Sequence, residues 1–139
     1  MFNHILIPTD LSHHVERAVD MAIDLAKPGK ATVTLLHVIQ TIQGLEFDEM
    51  QSFYAELESR ARKRLTALTA RHTDVGMAVR MELAYGAPAA EILRVVRERE
   101  IDLVVLASHP VRPDDPASGW GTLSYKVGAL VDCPVLLVK

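Results

Sequence analysis

The strongest constraint on the fold is an alternation of short apolar runs with longer segments that have helical periodicity. Most of these runs are nearly continuous and rich in β-branched residues, which is typical of parallel strands covered on both faces, whereas Val79, Met81 and Leu83 of one run alternate with other residues. The segments between them are long enough for right-handed crossovers. The pattern therefore predicts a doubly wound, open parallel α/β sheet of five strands with helices on both faces. The predicted strands are residues 5–7, 31–38, 77–83, 101–107 and 134–138.

Four segments have the apolar spacing of an amphipathic helix. Ser12 is a suitable N-cap for the first, which Lys27-Pro28-Gly29 ends. The second, residues 46–72, has a heptad-like spacing for barely three heptads, so packing on the sheet is favoured over a coiled-coil partner. Pro88 suits the first turn of the third helix, and Thr122 opens the fourth. The expected core positions are Val15, Ala18, Val19, Ala22, Ile23 and Ala26; Phe47, Met50, Tyr54, Leu57, Ala61, Leu65 and Leu68; Ile92, Val95 and Val96; and Leu123, Val127, Leu130 and Val131.

The connections indicate where a ligand would bind. A loop is predicted near residues 40–44, a turn at Tyr85-Gly86, and a long irregular loop at residues 108–121. A loop as long as the last is usually functional or disordered in a compact domain. In doubly wound sheets, ligands bind beyond the carboxyl ends of the strands, where the strand order reverses. The loops after strands one and four are therefore expected to flank the site.

Length and composition favour one domain, residues 1–139, with a substantial core. The net charge of −3 gives no electrostatic reason to expect nucleic acid or an anionic membrane as a partner. No apolar run approaches the 18 or so residues of a membrane span, and the start of the chain does not have the pattern of a signal peptide, so a cytoplasmic protein is expected. Cys133 is the only cysteine, which fits a reducing compartment, and it is expected to be a small core residue.

Five short segments spread along the chain match one family pattern, and together they are fairly specific although each alone is weak. On these segments the chain resembles the universal stress protein family over essentially its whole length. The segments are Ile5-Leu6-Ile7-Pro8-Thr9-Asp10, Leu35-Leu36-His37-Val38, Gly86-Ala87-Pro88 with Ile92, Leu103-Val104-Val105-Leu106, and Cys133-Pro134-Val135-Leu136-Leu137-Val138.

The resemblance implies a Rossmann-like sheet with strand order 3-2-1-4-5, a homodimer joined through the last strand, and an unidentified protein that the dimer regulates. It also implies ATP or another adenine nucleotide, with or without Mg²⁺, at the switch point of the sheet. By this resemblance Asp10 meets the ribose and Val38 the adenine. The remaining implied site residues are Gly121, Thr122 and Leu123 at the phosphate end, Ala107, Ser108 and His109 on the same wall, and Pro8 and Thr9.

The phosphate-binding glycines of the family pattern are only partly present. Ala107 and Pro110 occupy the places of the first two glycines, whereas Gly121-Thr122 keeps the last element. Glycines let the backbone approach a phosphate, and proline has no N–H to donate. Asp114 and Asp115 add negative charge nearby, which Arg112 partly offsets. The sequence therefore predicts that this loop limits phosphate binding.

Other chemistries find little support in the residues. The six histidines have no metal-ligand spacing, and Cys133 has no cysteine companion. Asp10, Ser12 and His13 are too close in sequence to converge as a nucleophilic site, and Asp10 can be explained simply as an acid that helps to cap the first helix. Neither a P-loop nor a complete dinucleotide-binding glycine motif is present.

Three functions remain at this point. The first is a nucleotide-sensing regulator that signals to a partner protein. The second is a stress-response scaffold that keeps the fold and the dimer without the nucleotide. The third is an enzyme that cleaves or transfers the nucleotide; it ranks last because no residue set supplies a base and an electrophilic clamp.

Overall fold

The structure, a computed structural model, describes residues 1–12, 15–41, 46–72, 76–108 and 123–139. A parallel sheet forms the centre of the fold in these residues. All neighbouring strands of these residues pair in parallel, in the order β3-β2-β1-β4-β5. The predicted fold class and strand order are therefore confirmed. The strands are β1 (His4–Pro8), β2 (Thr32–Gln40), β3 (Val79–Gly86), β4 (Leu103–Ala107) and β5 (Val135–Val138).

Helices pack on both faces of this sheet. They are α1 (Val15–Ala26), α2 (Gln51–Ala70), α3 (Pro88–Glu98) and α4 (Leu123–Leu130), with 3₁₀ turns at Lys27–Gly29 and Phe47–Met50. One core cluster joins α1 and α2 to one face of the sheet, and a second joins α3 and α4 to the other. The crossovers thus wind in both directions from β1, which brings the carboxyl ends of β1 and β4 together at the reversal of strand order.

Strand periodicity explains the two core clusters. Successive side chains of a strand point to opposite faces, so Ile5 and Ile7 lie in the first cluster and Leu6 lies in the second. All six expected core residues of α1 are buried, as are Ile92, Val95 and Val96 of α3. In α2, Tyr54, Ala61, Leu65 and Leu68 are buried and Met50 and Leu57 are half-buried, while the side chain of Phe47 lies outside what is described.

The ends of β2 and β3 differ from the prediction. Tyr85 and Gly86 do not form a turn, because both still pair with β2, Gly86 opposite Gln40. Gly86 has a φ of 145°, and a Cβ there would come within 3.2 Å of the Glu91 side chain, so glycine fits the passage into α3. Met81 is 44% exposed because β3 is an edge strand with no neighbour on one side among the described residues.

Helix α4 buries less than its apolar spacing suggests. Val127 is fully buried in the second cluster, whereas Leu123 is 38% and Leu130 is 52% exposed. Its eight residues make little more than two turns, so few positions can face the sheet. The expected helix start at Thr122, most of the loop at 40–44 and all but Ser108 of the loop at 108–121 lie outside the described residues. No helix in the described ranges is both long and apolar enough to cross a membrane.

Candidate functional site

A cavity of about 330 Å³ lies at the carboxyl ends of β1, β2 and β4. This is the edge where the strand order reverses, because β1 leads to α1 on one face and β4 precedes α4 on the other. The volume lies near the lower end of the range for small-molecule sites. The described residues that line it are Pro8, Thr9, Asp10, Val15, Leu36, His37, Val38, Gln40, Pro88, Ile92, Leu106, Ala107, Leu123 and Ser124.

The structure brings six of the ten expected site residues to this cavity. They are Pro8, Thr9, Asp10, Val38, Ala107 and Leu123. Ser108 does not line it; the Ser108 N–H donates instead to the Val138 carbonyl at 2.8 Å, which extends the pairing of β4 with β5. His109, Gly121 and Thr122 lie outside the described residues.

The turn after β1 fixes the backbone beside the cavity. The Thr9 N–H donates to the Leu36 carbonyl at 2.8 Å, and the Leu11 N–H donates to Thr9 Oγ1 at 2.9 Å. Asp10 Oδ1 accepts from the Ser12 N–H at 2.9 Å. Short polar side chains commonly stabilise turns in this way. Leu11 has a φ of 66°, a left-handed conformation that is costly for a leucine and that these bonds hold in place.

Ser12 takes part in this turn chiefly through its backbone. The Ser12 carbonyl accepts from the Val15 N–H at 3.3 Å, and Ser12 Oγ is buried without a hydrogen-bond partner among the described residues. Asp10 therefore stabilises the turn that precedes α1, and the described residues show no hydrogen bond from the Ser12 hydroxyl, the predicted N-cap group.

His37 was missed as a site residue by the sequence reasoning. Its Nδ1 lies 2.8 Å from the Thr9 carbonyl oxygen, and since a carbonyl can only accept, Nδ1 carries the proton and donates. The ring thereby links the end of β2 to the turn after β1. The signal was present in the family-like segment 35–38, but its residues were interpreted as strand core and only Val38 was assigned to the ligand.

Other walls of the cavity are residues that the sequence assigned to the core. Val15 is the first residue of α1 and Ile92 lies in the second turn of α3, and both are buried. Leu36 and Leu106 come from the sheet. Helix positions that face a sheet near the carboxyl ends of its strands also face any cavity there, so apolar spacing alone cannot separate the two roles. The arrangement is a mostly apolar cleft with a few polar groups, as small-molecule sites usually are.

A separate polar contact joins α2 to β3. Tyr85 Oη donates to Glu58 Oε2 at 2.5 Å, and Tyr54 packs edge-on against the Tyr85 ring. The hydrogen bond to Glu58, aided by burial, raises the pKa of Tyr85 to about 12. The same hydrogen bond, together with one from Arg62, lowers the pKa of Glu58. This hydrogen bond and ring contact stabilise the packing of the edge strand β3 against α2.

Cys133 lies half-buried against the second core cluster, in keeping with a small packing residue. Burial raises the pKa of its thiol. Within the described ranges, no three His, Cys, Asp or Glu residues are grouped closely enough to hold a metal ion. His13, His14 and His109 lie outside those ranges.

Comparison with known proteins settles the family. The family model described as the universal stress protein family matches residues 1–139. The chain belongs to this family. Universal stress protein YxiE of Bacillus subtilis is 29% identical to it over the full length of both chains. Universal stress protein A homolog 1 of Coxiella burnetii is 31% identical over 78% of this chain and 77% of its own.

Solved structures of similar fold agree with this assignment. The structure of hypothetical protein MJ0577 is 26% identical, with a TM-score of 0.84 over 100% of this universal stress protein and 96% of that chain. Three more distant structures of the family share the fold and hold adenine nucleotides. They are a universal stress protein in complex with cAMP (18% identical, TM-score 0.74), the Archaeoglobus fulgidus protein with dAMP (16% identical, TM-score 0.73) and an Arabidopsis thaliana protein with AMP (17% identical, TM-score 0.69). The alignments cover 99% of this chain in each case, and 97%, 98% and 91% of the three other chains in the same order.

Proposed function

We propose that this universal stress protein is a regulatory domain that binds an adenine nucleotide, ATP or a relative of it, in the cavity at the carboxyl edge of the sheet. The observation that carries the proposal is the convergence of Asp10, Val38 and Leu123 on one cavity at the reversal of strand order. Three separate parts of the sequence supply these residues, and the family resemblance implies the same ligand for each of them.

The chemistry of the walls suits a nucleoside. An adenine ring is flat and apolar on its faces, and Val38, Pro88 and Leu123, which are not buried, offer apolar surface at the cavity. Asp10 is an exposed carboxylate at the same cavity. A carboxylate has about four lone-pair sites, so it can accept from ribose hydroxyls as well as from the Ser12 N–H. The cAMP, dAMP and AMP found in proteins of the same fold support an adenine ligand here.

The proposed output is a signal to a partner protein from a homodimer. β5 is an edge strand of the described sheet, and Leu137 on it is 41% exposed. An edge strand with unpaired backbone groups is suited to pairing with a second copy. A nucleotide at the carboxyl end of β4 would lie one strand away from β5, because β4 and β5 are neighbours in the sheet. This short distance offers a path from the ligand to the proposed interface.

The scaffold alternative is favoured by one observation. Ala107 places a Cβ where the family pattern has a glycine, at the wall of the cavity. If this departure abolishes nucleotide binding, the fold and the dimer remain. Mass spectrometry of the small molecules released from the purified, denatured protein distinguishes the two functions without assuming a ligand.

Calorimetric titration tests the nucleotide directly. Adenosine and AMP should bind and guanosine should bind more weakly. Asp10→Ala removes a charge-assisted hydrogen bond worth about 1.5–3 kcal/mol, so affinity should fall about ten-fold or more. Asp24→Ala is the matched control, because Asp24 is an exposed acid of α1 that pairs with Lys27 away from the cavity. Equal losses in both variants, or none in Asp10→Ala, would remove Asp10 from the site.

A further inference from the structure

A second cavity, of about 460 Å³, adjoins the first on the side of α2. Four residues line both cavities: Asp10, His37, Val38 and Gln40. They belong to the turn after β1 and to the end of β2, so the two cavities meet along the carboxyl edge of these strands. The other described residues of the second cavity are Leu11, Ile39, Leu57, Arg60, Ala61 and Arg64.

The far wall of the second cavity is positively charged. Arg60 and Arg64 are four residues apart on α2, so their side chains leave the same face of the helix. The acidic residue that lines this cavity is Asp10, at its boundary with the first. Passing from the first cavity to the second, a ligand would meet a carboxylate and then two guanidinium groups, a sequence that suits ribose hydroxyls followed by phosphate.

Both arginines have partners that a phosphate could replace. Arg60 lies 2.7 Å from Glu56, and both side chains are largely exposed. Arg64 lies 3.0 Å from Glu16 of α1 in a more sheltered pair. Solvent weakens exposed ion pairs, whereas guanidinium and phosphate can form two parallel charge-assisted hydrogen bonds. The present pairs therefore do not prevent the arginines from binding a phosphate.

The other expected phosphate site is weakened in this chain. Ala107 lines the first cavity in the place of a family glycine, and Pro110, in the place of the second, has no N–H to give. A phosphate gains less from that loop than a glycine-rich cradle would provide. The arginines of α2 offer a donor set that does not depend on the glycine pattern.

We infer that the two cavities form one bipartite site, in which the nucleoside occupies the first and a phosphate of the same ligand reaches Arg60 and Arg64 in the second. This inference rests on the proposed function, since it needs a nucleoside in the first cavity. It adds a phosphate-binding role for α2. Asp10 and His37 form the boundary between the two parts.

The test is calorimetric titration of adenosine, AMP and ATP into wild-type protein, Arg60→Gln, Arg64→Gln and the double variant. Each single variant should weaken binding of AMP or ATP about three- to ten-fold, and adenosine should bind all of them equally. The loss should shrink at high salt, which screens exposed charges. Arg62→Gln is the matched control: Arg62 is on the same helix and pairs with Glu58 four residues earlier, as Arg60 does with Glu56, but lines neither cavity.

Because Arg64 also joins α2 to α1, Arg64→Lys is added to keep the positive charge. It should retain more of the affinity for ATP than Arg64→Gln does, because the charge is kept while the two parallel hydrogen bonds of the guanidinium are lost. The inference is overturned if the Arg60 and Arg64 variants bind AMP and ATP like Arg62→Gln, or if adenosine weakens as much as AMP, which would mean that the arginines act through the fold. Failure of adenosine and of both nucleotides to bind wild-type protein would instead refute the proposed function, and this inference with it.

Discussion

The hydrogen bond from His37 to the turn after β1 leads to a sharp prediction, because it holds the backbone that carries Asp10. His37→Phe keeps a flat ring of similar size but removes the donor to the Thr9 carbonyl. His37→Asn loses the ring but places an amide N–H near the position of Nδ1. If the bond matters, the smaller but polar side chain should behave more like wild type than the aromatic one.

The magnitude follows from the geometry. The bond is 2.8 Å long and partly buried, so its net contribution should be about 1 kcal/mol. For a domain of this size that corresponds to a fall of about 3 °C in Tm for His37→Phe. The loss of nucleotide affinity cannot exceed the stabilisation that the bond gives to the binding-competent turn. A value of about 1 kcal/mol limits it to about five-fold.

Two measurements on the same three proteins decide the matter. Denaturant unfolding gives the stability difference, and titration with adenosine gives the affinity difference. The reasoning is refuted if His37→Phe is as stable as wild type, or if His37→Asn loses as much stability and affinity as His37→Phe. A loss of affinity far above five-fold would show that His37 touches the ligand as well as the turn.

Two further predictions concern the edges of the sheet. Leu137→Lys should shift sedimentation from dimer to monomer, because it places a charge on the edge strand β5. The control Leu25→Lys, at an equally exposed leucine of α1, should leave the dimer unchanged. A monomeric wild type, or an unchanged dimer in Leu137→Lys, would contradict the proposed interface. Tyr85 keeps its proton longer in the folded state than in the unfolded state, so the stability it contributes is present below pH 10.0 and is lost as the pH rises to about 12. Tyr85→Phe should therefore lose less stability than wild type between these pH values in denaturant titrations, and parallel losses would show that the hydrogen bond to Glu58 does not persist in solution.

Much of the fold could be predicted because a strand that is buried on both faces of a sheet requires consecutive apolar residues, which are visible in the sequence. β1 reads as an unbroken apolar run since Ile5, Leu6 and Ile7 are each covered, on alternating sides. α1 shows a single buried stripe because it rests on one face. The strand order followed from the family resemblance, because local periodicity does not say which strands are neighbours.

Errors arose where pairing or position overrode local preference. Tyr85-Gly86 looks like a turn from composition, yet pairing with β2 continues to Gly86. Met81 belongs to the alternating apolar residues of β3, yet it is 44% exposed, because an edge strand has fewer neighbours to cover it. Leu130 has the right helical spacing but lies at the end of a two-turn helix, where the core no longer reaches it.

Part of the candidate site could likewise be predicted from the sequence and part could not. Asp10 and Val38 could be assigned to the ligand through the family resemblance, and the loop after β1, which holds Asp10, was also expected beside the reversal of strand order. Arg60 and Arg64 could not, because in the sequence they are ordinary charges on the polar side of an amphipathic helix. Only the β3-β2-β1 order sets α2 beside the end of β2 and turns these charges toward the cavity.

The departure from the family glycines and the arginines of α2 bear on the same physical question, which is where the ligand's negative charge is neutralised. Backbone N–H groups of a glycine-rich loop act only at close range and only when the loop has the required φ values. A guanidinium on a long side chain acts from a greater distance and adapts to the phosphate. A chain with Ala107 at the wall of its cavity and two arginines in the adjoining cavity can therefore keep a nucleotide site although the first two glycines of the pattern are lost.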